Sequence, residues 1–464
     1  MAAMTNSTPA RDDSLRERLR GSVRGELVEP GDPDYDEARK VYNALHDKRP
    51  AIVVRAVDAG DVMATVGFAR ERGLTLAVRG GSHSVSGYGT CDDGVVLDLG
   101  RMRGIRVDPG TRTARVEGGC TWADVNHATH AFGLATTGGI VSTTGVGGLT
   151  TGGGMGYLAR RCGLVCDNLT SVDLVTADGS FLTCTDEQNS DLMWAVRGGG
   201  GNFGVVTSFV YRLHPIADIL GGPTFFPLDG DVIRRYRELI AEGDERLGAL
   251  LIVGLGTPVP FLPERWHGRP LCGVIACWTG PKDEDDRVRD RVAALGPVLG
   301  RMVERLPYPM INTLFDDLVP AGLFQYWKGA FTEGLPDGAI DAFIEYGATT
   351  PSIQSVTAVF PIDGACHRVG PEDTAFSYRD ADYSIALSPA LTTREECEAQ
   401  KAWVGAYHRA LEPYSMAGAY VNFVDSDDQD RVQANYRGNL ARLTEVKRHY
   451  DPGNLFRLNH NIAP

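Results

Sequence analysis

Hydrophobic and polar residues alternate over short stretches of this chain, and helical spacing interrupts them at a few places. Residues 51–56 and 74–80 are predicted strands on either side of a helix over residues 58–73. Val62, Val66 and Ala69 share one face of that helix, and Gly73 stands where a glycine ends a helix. Together they predict a strand–helix–strand unit.

Shorter strands follow up to about residue 215, with helices over residues 121–132 and 190–197. The pair Asp178-Gly179 lies between two alternating runs and predicts a hairpin with a type I′ turn. Ahead of these elements, Tyr35 and Ala38 begin a helical spacing that continues to residue 45. It predicts a helical segment within residues 1–46.

The pattern changes after residue 215, because the glycine clusters stop and strands alternate with helices. One helix is predicted to begin after Thr393, with Glu396 as its capping-box partner. Residues 418–423 are a predicted strand, and residues 428–449 a predicted long helix. We therefore expect an α+β chain of four parts, listed here with their bounds: an N-terminal segment (1–46), a first domain (47–215), a second domain with an antiparallel sheet covered by helices (216–424), and a returning C-terminal segment (425–464).

Composition excludes several classes of function. The 464 residues carry a formal net charge of −14, whereas a nucleic-acid-binding protein would need a basic face. No apolar run has the length of a membrane span, and the first 21 residues contain no signal-peptide core. Nine cysteines occur without a CxxC pair. They predict free thiols and no metal site, and a cytoplasmic location.

Three clusters of glycine carry the candidate chemistry. The first, "VRGGSHSVSGYGT" (78–90), surrounds His83, which either faces a ligand or lies in an ordinary surface turn. The second holds nine glycines within residues 138–156. The third, residues 197–206, matches G-x-G-x-x-G, but a predicted helix precedes it and a strand follows it, the reverse of a dinucleotide-binding Rossmann unit. Such loops either direct backbone N–H groups at a diphosphate or pack closely against a sheet.

The motifs around these clusters resemble those of the berberine bridge enzyme-like FAD oxidases. "VRGGSHSVSGYGT" is similar to their flavin-attachment loop, and "GVGGLTTGGGMGYLARRCGLVCDN" and "WAVRGGGGNFGVVTSF" to their second and third flavin loops. "AYVNF" and "YDPGNLFRLNHNI" resemble their C-terminal signature. The resemblance implies the two-lobed PCMH-type FAD-binding fold of the vanillyl-alcohol-oxidase superfamily. Within it, the pattern is most similar to singly tethered bacterial members, of the 6-hydroxy-D-nicotine oxidase kind or the polyketide-modifying flavin oxygenases.

The resemblance implies covalent FAD, bonded through its 8α-methyl group to His83. Members with a second bond carry a cysteine where this chain has Val141, so no cysteinyl bond is expected. The implied cofactor-binding positions are Arg79, Gly80, Gly81, Ser82, His83, Ser84, Gly87, Gly139, Val141, Gly145, Gly148, Gly152, Gly153, Gly156, Tyr157, Gly204, Val205, Val206 and Asn459.

The same resemblance implies hydride transfer from a small organic substrate to flavin N5, with O2 as electron acceptor. Thr144 corresponds to the position that controls oxygen access. Tyr420 corresponds to a tyrosine that acts as a base if its pKa is lowered, although Phe423 replaces the second tyrosine of the motif. Gln354, Asp382 and Tyr383 are alternative candidates for the base.

Three functions stay open on the sequence. The first is an oxidase of a small alcohol, amine, sugar or secondary metabolite, and the second is an oxygenase of a polyketide-like compound. The third is a cyclase or binding protein with structural FAD. We expect a monomer or homodimer. Six aromatic residues of the second domain are candidates to line a substrate pocket: Phe225, Phe226, Trp278, Phe324, Tyr326 and Trp327.

Overall fold

A computed structural model describes residues 19–425 and 431–464. Its first sheet has four strands, in the order β1-β2-β4-β3: β1 (Glu26–Val28), β2 (Ile52–Arg55), β3 (Leu76–Arg79) and β4 (Val95–Asp98). Strand β4 pairs in parallel with β2 and with β3, and β1 is antiparallel to β2. The predicted strand–helix–strand unit is confirmed: the helix Ala59–Arg72 begins after Asp58, which accepts a hydrogen bond from Asp61 N–H, and ends at left-handed Gly73.

The second sheet is antiparallel and lies beside the first. Its strands are β5 (Ile105–Asp108), β6 (Thr113–Glu117), β7 (Leu169–Val175), β8 (Phe181–Cys184) and β9 (Val205–Arg212), in the order β5-β6-β9-β7-β8. The predicted hairpin is β7–β8, but its turn is not type I′. Gly179 has a positive φ and Asp178 does not, whereas type I′ needs both. The helices here are Trp122–His130, Val146–Thr151, Ala159–Cys162 and Ser190–Val196.

The second domain contains a large antiparallel sheet, in the order β13-β10-β12-β11-β17-β18-β16, with β14 paired to β10 and a separate β15–β19 pair. The strands are β10 (Asp218–Pro227), β11 (Leu247–Leu255), β12 (Pro270–Trp278), β13 (Gly300–Arg301), β14 (Glu304–Pro307), β15 (Phe324–Gln325), β16 (Lys328–Thr332), β17 (Val356–Pro361), β18 (Tyr383–Ser388) and β19 (Ala390–Leu391).

Helices cover one face of this sheet, as predicted: Gly230–Ala241, Asp285–Ala293, Asp337–Gly347 and Arg394–Leu411. Thr393 caps the last of them by accepting a hydrogen bond from Glu396 N–H. Because side chains alternate along a strand, the opposite face presents a different set, including Ala358, Phe360 and Ala386, toward the first domain. This alternation places the site between the two domains.

Three predicted elements are wrong in part. The helical spacing from Tyr35 gives only the helix Tyr35–Ala38, and β1 precedes it. The segment predicted as a strand at residues 418–423 contains the 3₁₀ helix Val421–Phe423 instead. The predicted long helix is divided into Val432–Tyr436, the 3₁₀ turn Arg437–Asn439 and Leu440–Tyr450, because Arg437 has a φ of 49° that a continuous helix excludes. Its first predicted residues, 428–430, lie outside the described residues.

The remaining short elements are Tyr308–Ile311 and the 3₁₀ helices Cys166–Asn168, Glu264–Trp266, Lys282–Glu284, Gly364–Arg368 and Glu412–Tyr414. All nine cysteines are free, as predicted. Within the described ranges, no helix combines the length and apolarity needed to cross a bilayer. The bounds of the four parts stay a prediction.

Candidate functional site

A cavity of about 370 Å³ lies between the glycine clusters and the uncovered face of the large sheet. Its volume is within the range of small-molecule sites. Sixteen of the predicted site residues line it: Arg79, Gly80, Gly81, Ser82, His83, Ser84, Gly139, Val141, Thr144, Gly145, Gly148, Gly204, Val205, Val206, Tyr420 and Asn459. The three glycine clusters, far apart in sequence, therefore meet at one cavity.

Residues 80–86, called the attachment loop for their resemblance to that motif, leave the carboxyl end of β3 along the cavity wall. Ser82 adopts a left-handed φ of 64°, which is uncommon for a residue with a side chain. None of the described residues accepts a hydrogen bond from the backbone N–H groups of this loop. A run of N–H groups without protein acceptors at a cavity wall is suited to an anionic or carbonyl-bearing ligand.

The imidazole of His83 is fixed on three sides. The Tyr42 ring stacks on it with centroids 3.8 Å apart and an interplanar angle of 20°. Thr143 Oγ1 lies 2.9 Å from Nε2, and Thr144 Oγ1 lies 3.3 Å from Nδ1. Burial lowers the pKa of His83 to about 4. The ring is therefore neutral at physiological pH and retains a nucleophilic lone pair.

The second glycine cluster meets the attachment loop at Gly81 and Gly145. A Cβ on Gly81 would lie 2.2 Å from the backbone nitrogen of Gly145, so only glycine permits this contact. The third cluster lies between the helix Ser190–Val196 and β9. This order confirms that it is not a Rossmann unit.

Six predicted site residues do not line the cavity: Gly87, Gly152, Gly153, Gly156, Tyr157 and Gln354. The glycines among them permit close packing instead. A Cβ on Gly87 would contact the His46 ring at 2.2 Å, and one on Gly156 would lie 1.9 Å from Gly138 O. The alternative interpretation of the clusters as packing devices therefore holds for Gly87 in the first cluster and for residues 152–156 of the second.

Tyr157 is buried behind the wall, and burial raises its pKa far above the ordinary value. Gln354 lies in the turn before β17, two residues before Val356, the first residue of the strand. The other candidate bases also lie elsewhere. Tyr383 packs against Tyr236 on the helix-covered face, and Asp382 accepts a hydrogen bond from Gly334 N–H.

Arg79 is the one charged side chain among the described lining residues, and protein groups already occupy it. Its guanidinium lies 2.6 Å from Asp98 Oδ2 and donates to the carbonyls of Ala38 and Lys40. The Arg79 guanidinium is therefore bound to protein groups behind the cavity wall and is not available to a ligand. No free cation is needed for a diphosphate if the backbone N–H groups bind it, as the sequence predicted.

Tyr420 lines the cavity, but its hydroxyl is bound to protein groups. It accepts hydrogen bonds from Gly154 N–H at 2.9 Å and from Asn422 Nδ2 at 2.8 Å. Burial raises the pKa of Tyr420 above its ordinary value, more than these two bonds lower it. The lowered pKa that a tyrosine base needs is not seen, and Tyr420 as base stays a prediction.

The wall that the large sheet contributes to the cavity is mainly apolar. It includes Val356, Ala358, Phe360 and Ala386 at alternate positions of β17 and β18. Of the six predicted aromatic residues, Trp327 alone lines the cavity within the described chain. Sequence reasoning missed Tyr42, Gln325 and Asn422, whereas the alternation within "VTAVF" was a usable signal for β17.

FAD fits this site by its donors and shape. The unpaired N–H groups of the attachment loop suit phosphate or carbonyl oxygens, and the apolar walls suit a flat ring. Asn459, whose Nδ2 donates to Phe456 O at 3.0 Å, is placed at the same cavity. Among the described residues, no cluster of histidine, cysteine or carboxylate side chains could hold a metal ion.

Known proteins resemble the chain in both of its signature regions. An FAD-binding-domain model matches residues 50–185, and a model described as berberine and berberine like matches residues 419–463. An FAD-linked oxidoreductase of Dictyostelium discoideum is 30% identical over 446 residues, covering 96% of this chain and 95% of the relative. An FAD-dependent monooxygenase of Fusarium proliferatum is 35% identical, covering 88% of this chain and 83% of the relative.

A crystal structure of 6-hydroxy-D-nicotine oxidase from Arthrobacter nicotinovorans superposes with a TM-score of 0.84 at 27% identity, covering 96% of this chain and 98% of the other. The PCMH-type fold is therefore confirmed, and the protein is an FAD-binding oxidoreductase. The chain belongs to the berberine bridge enzyme-like family of FAD-linked oxidoreductases.

Proposed function

We propose that the protein is an O2-dependent oxidase of a neutral, largely apolar organic compound, and that its FAD is covalently attached through His83. The observation that carries this proposal is the placement of the His83 imidazole at the cavity wall, where Tyr42, Thr143 and Thr144 hold it and burial lowers its pKa. A protonated imidazole has no lone pair to form a bond, so the lowered pKa favours attachment.

Attachment replaces an N–H bond of the imidazole and a C–H bond of the 8α-methyl group with one C–N bond. Two protons and two electrons leave, and O2 takes them up as hydrogen peroxide. A Cβ on Gly80 or Gly81 would lie close to Gly118 O or Gly145 N, so the two glycines let this loop pack against its neighbours and hold His83 at the cavity wall. Val141 supplies no thiol, so we expect a single bond.

Bound FAD supplies the acceptor for a hydride from the substrate. The chain's own residues then bind and orient that substrate. Val356, Ala358, Phe360 and Trp327 offer apolar surface, and Ser388 donates its hydroxyl proton to Val356 O rather than to the cavity. A charged substrate would lose its hydration here without an available oppositely charged partner, because Arg79, the one charged side chain among the described lining residues, is paired with Asp98. This supports a neutral, largely apolar substrate over a sugar with many hydroxyls.

The test is the visible spectrum of the purified protein before and after acid precipitation, followed by peptide mapping. We expect yellow colour to remain with the pellet, on a peptide that contains His83. The variant His83→Ala should release all of its FAD into the supernatant. His127→Ala, which changes an exposed histidine of the helix Trp122–His130, should retain it. A colourless wild-type pellet with free FAD would contradict the attachment.

An oxygenase is the second candidate, and the likeness to the Fusarium monooxygenase favours it. Thr144 is small and lines the cavity, which suits access of O2 in either case. The two candidates differ in the fate of the oxygen: an oxidase releases one hydrogen peroxide per substrate oxidised, whereas an oxygenase incorporates an oxygen atom into its product. Peroxide yield and product mass separate them. A cyclase with structural FAD would leave the flavin absorbance unchanged under anaerobic substrate addition.

A further inference from the structure

Residues 42 and 43 join the attachment loop to the second domain. Asn43 is 1% exposed and uses its whole amide: Nδ2 donates to Val85 O and Gln325 O, both at 2.9 Å, and Oδ1 accepts from Leu45 N–H and Gln325 N–H. It therefore fixes the distance between the loop that carries His83 and strand β15.

Tyr42 is held still more closely to the same two regions. Its N–H donates to Ser82 O at 3.2 Å, and its carbonyl accepts from Gly322 N–H at 2.9 Å. Its hydroxyl donates to Val319 O and lies beside the Gln325 amide. Burial raises the pKa of Tyr42 to about 12, so the hydroxyl keeps the proton that it donates.

The Tyr42 ring is thus fixed at both ends and lies flat on the His83 imidazole. The left-handed Ser82, whose carbonyl accepts the Tyr42 N–H, turns His83 toward that ring. Non-glycine residues with this backbone cost energy and persist where the surroundings impose them. Such rigidity is worthwhile where one ring must meet a reacting carbon in one orientation.

We infer that Tyr42 is a positioning residue for covalent attachment of FAD, holding the His83 ring in the orientation in which a C–N bond replaces one N–H of His83 and one C–H of the cofactor's methyl group. This inference rests on the proposed attachment at His83. It adds that segment 319–325 of the second domain, through Val319 and Gln325, sets how readily the bond forms. In this role Tyr42 acts through His83, and the FAD methyl group reacts with His83 alone.

The test compares Tyr42→Leu, Tyr42→Phe and Tyr346→Leu, each isolated with its flavin. Tyr346 stacks on Tyr407 at 4.7 Å and 10° among the covering helices, so its variant removes a similar ring pair away from the cavity. Total FAD is measured from absorbance of the intact protein, and attached FAD from the acid pellet. The attached fraction reports bond formation, and a loss of folding alone lowers total FAD without lowering that fraction.

We expect the ratio of attached to unattached FAD to fall about fivefold in Tyr42→Leu, the size that loss of one aromatic stacking pair predicts. Tyr42→Phe should recover most of this loss, and Tyr346→Leu should equal wild type. An unchanged ratio in Tyr42→Leu would overturn the inference while the attachment stands. A colourless wild-type pellet would overturn the attachment itself. If Tyr42→Leu is not recovered folded, Gln325→Leu decides, because it removes the amide beside the Tyr42 hydroxyl and should lower the same ratio. An unchanged ratio there overturns the inference.

Discussion

The cavity wall at residues 139–148 and the packed turn at residues 152–157 belong to one glycine-rich stretch, yet they do different things. The wall lines the cavity, and Gly148 has no atom within 4 Å of where a Cβ would stand. In the packed turn, a Cβ on Gly156 would lie 1.9 Å from Gly138 O. Dense glycine therefore has two uses in this stretch: Gly148 leaves open space at the cavity, whereas Gly156, and Gly145 where it meets Gly81, let protein backbone approach closely.

Gly156→Ala should give the largest effect, because the methyl group collides with backbone that cannot rotate away. We expect the free energy of unfolding to fall by about 3 kcal/mol or more, or no folded protein at all. Thermal unfolding measures this. Gly67→Ala is the matched control: its Cβ meets nothing within 4 Å in the helix Ala59–Arg72, and it should gain up to about 1 kcal/mol. A Gly156→Ala protein as stable as wild type would contradict the packing role.

Tyr420→Phe tests a residue that connects the cavity with the packed turn. Tyr420 lines the cavity, and its hydroxyl accepts a hydrogen bond from Gly154 N–H in the packed turn. Removal of its hydroxyl leaves the buried N–H of Gly154 without an acceptor, which should cost about 1–3 kcal/mol in unfolding, whereas Asn422 Nδ2 keeps Gly148 O as an acceptor at 3.2 Å. Tyr157→Phe is the control. Its buried hydroxyl has no hydrogen-bond partner within the described structure, so its removal should be neutral or slightly stabilising.

The same pair of variants distinguishes positioning from catalysis. If Tyr420 only holds the packed turn, substrate turnover should fall in proportion to folded, FAD-loaded protein. A loss of turnover by a hundredfold or more at unchanged stability would show instead that Tyr420 acts as the base.

Local features of the fold could be predicted from the sequence, whereas contacts between distant segments could not. The helix Ala59–Arg72 was predictable because Asp58 and Gly73 mark its ends locally. The place of His83 followed from its loop. The stacking of Tyr42 on His83 joins residues 41 apart in sequence, and no periodicity reports it. Gln354 was predicted on or near a strand, but β17 begins only at Val356 and Gln354 lies in the preceding turn, where strand alternation no longer fixes the direction of a side chain.

The free energy of unfolding of FAD-free protein should also depend on pH through His83, which contacts Thr143 and Thr144 of the wall. Its pKa is lowered from 6.5 to about 4, so the folded state resists protonation that the unfolded chain accepts. Stability is then fully present above pH 6.5, falls as the pH drops toward 4, and levels off below. His83→Gln should remove about 1–2 kcal/mol of this fall, less than 1.36 kcal/mol per pKa unit, since the ring is partly accessible. Melting curves at pH 7 and pH 4.5 that shift equally in both proteins would contradict it.

Gly148→Ala should give the smallest change in stability, and of opposite sign to Gly156→Ala. Gly148 lies within the helix Val146–Thr151 with an ordinary negative φ, so alanine should stabilise the folded chain by about 0.5–1 kcal/mol. The added methyl group enters the cavity, so FAD affinity should decrease while the melting temperature of FAD-free protein rises. Fluorescence titration with FAD and melting of the same preparations give both quantities. If Gly148→Ala instead lowers stability and leaves FAD affinity unchanged, residue 148 belongs with the packed turn, and the division of this stretch into wall and turn is wrong.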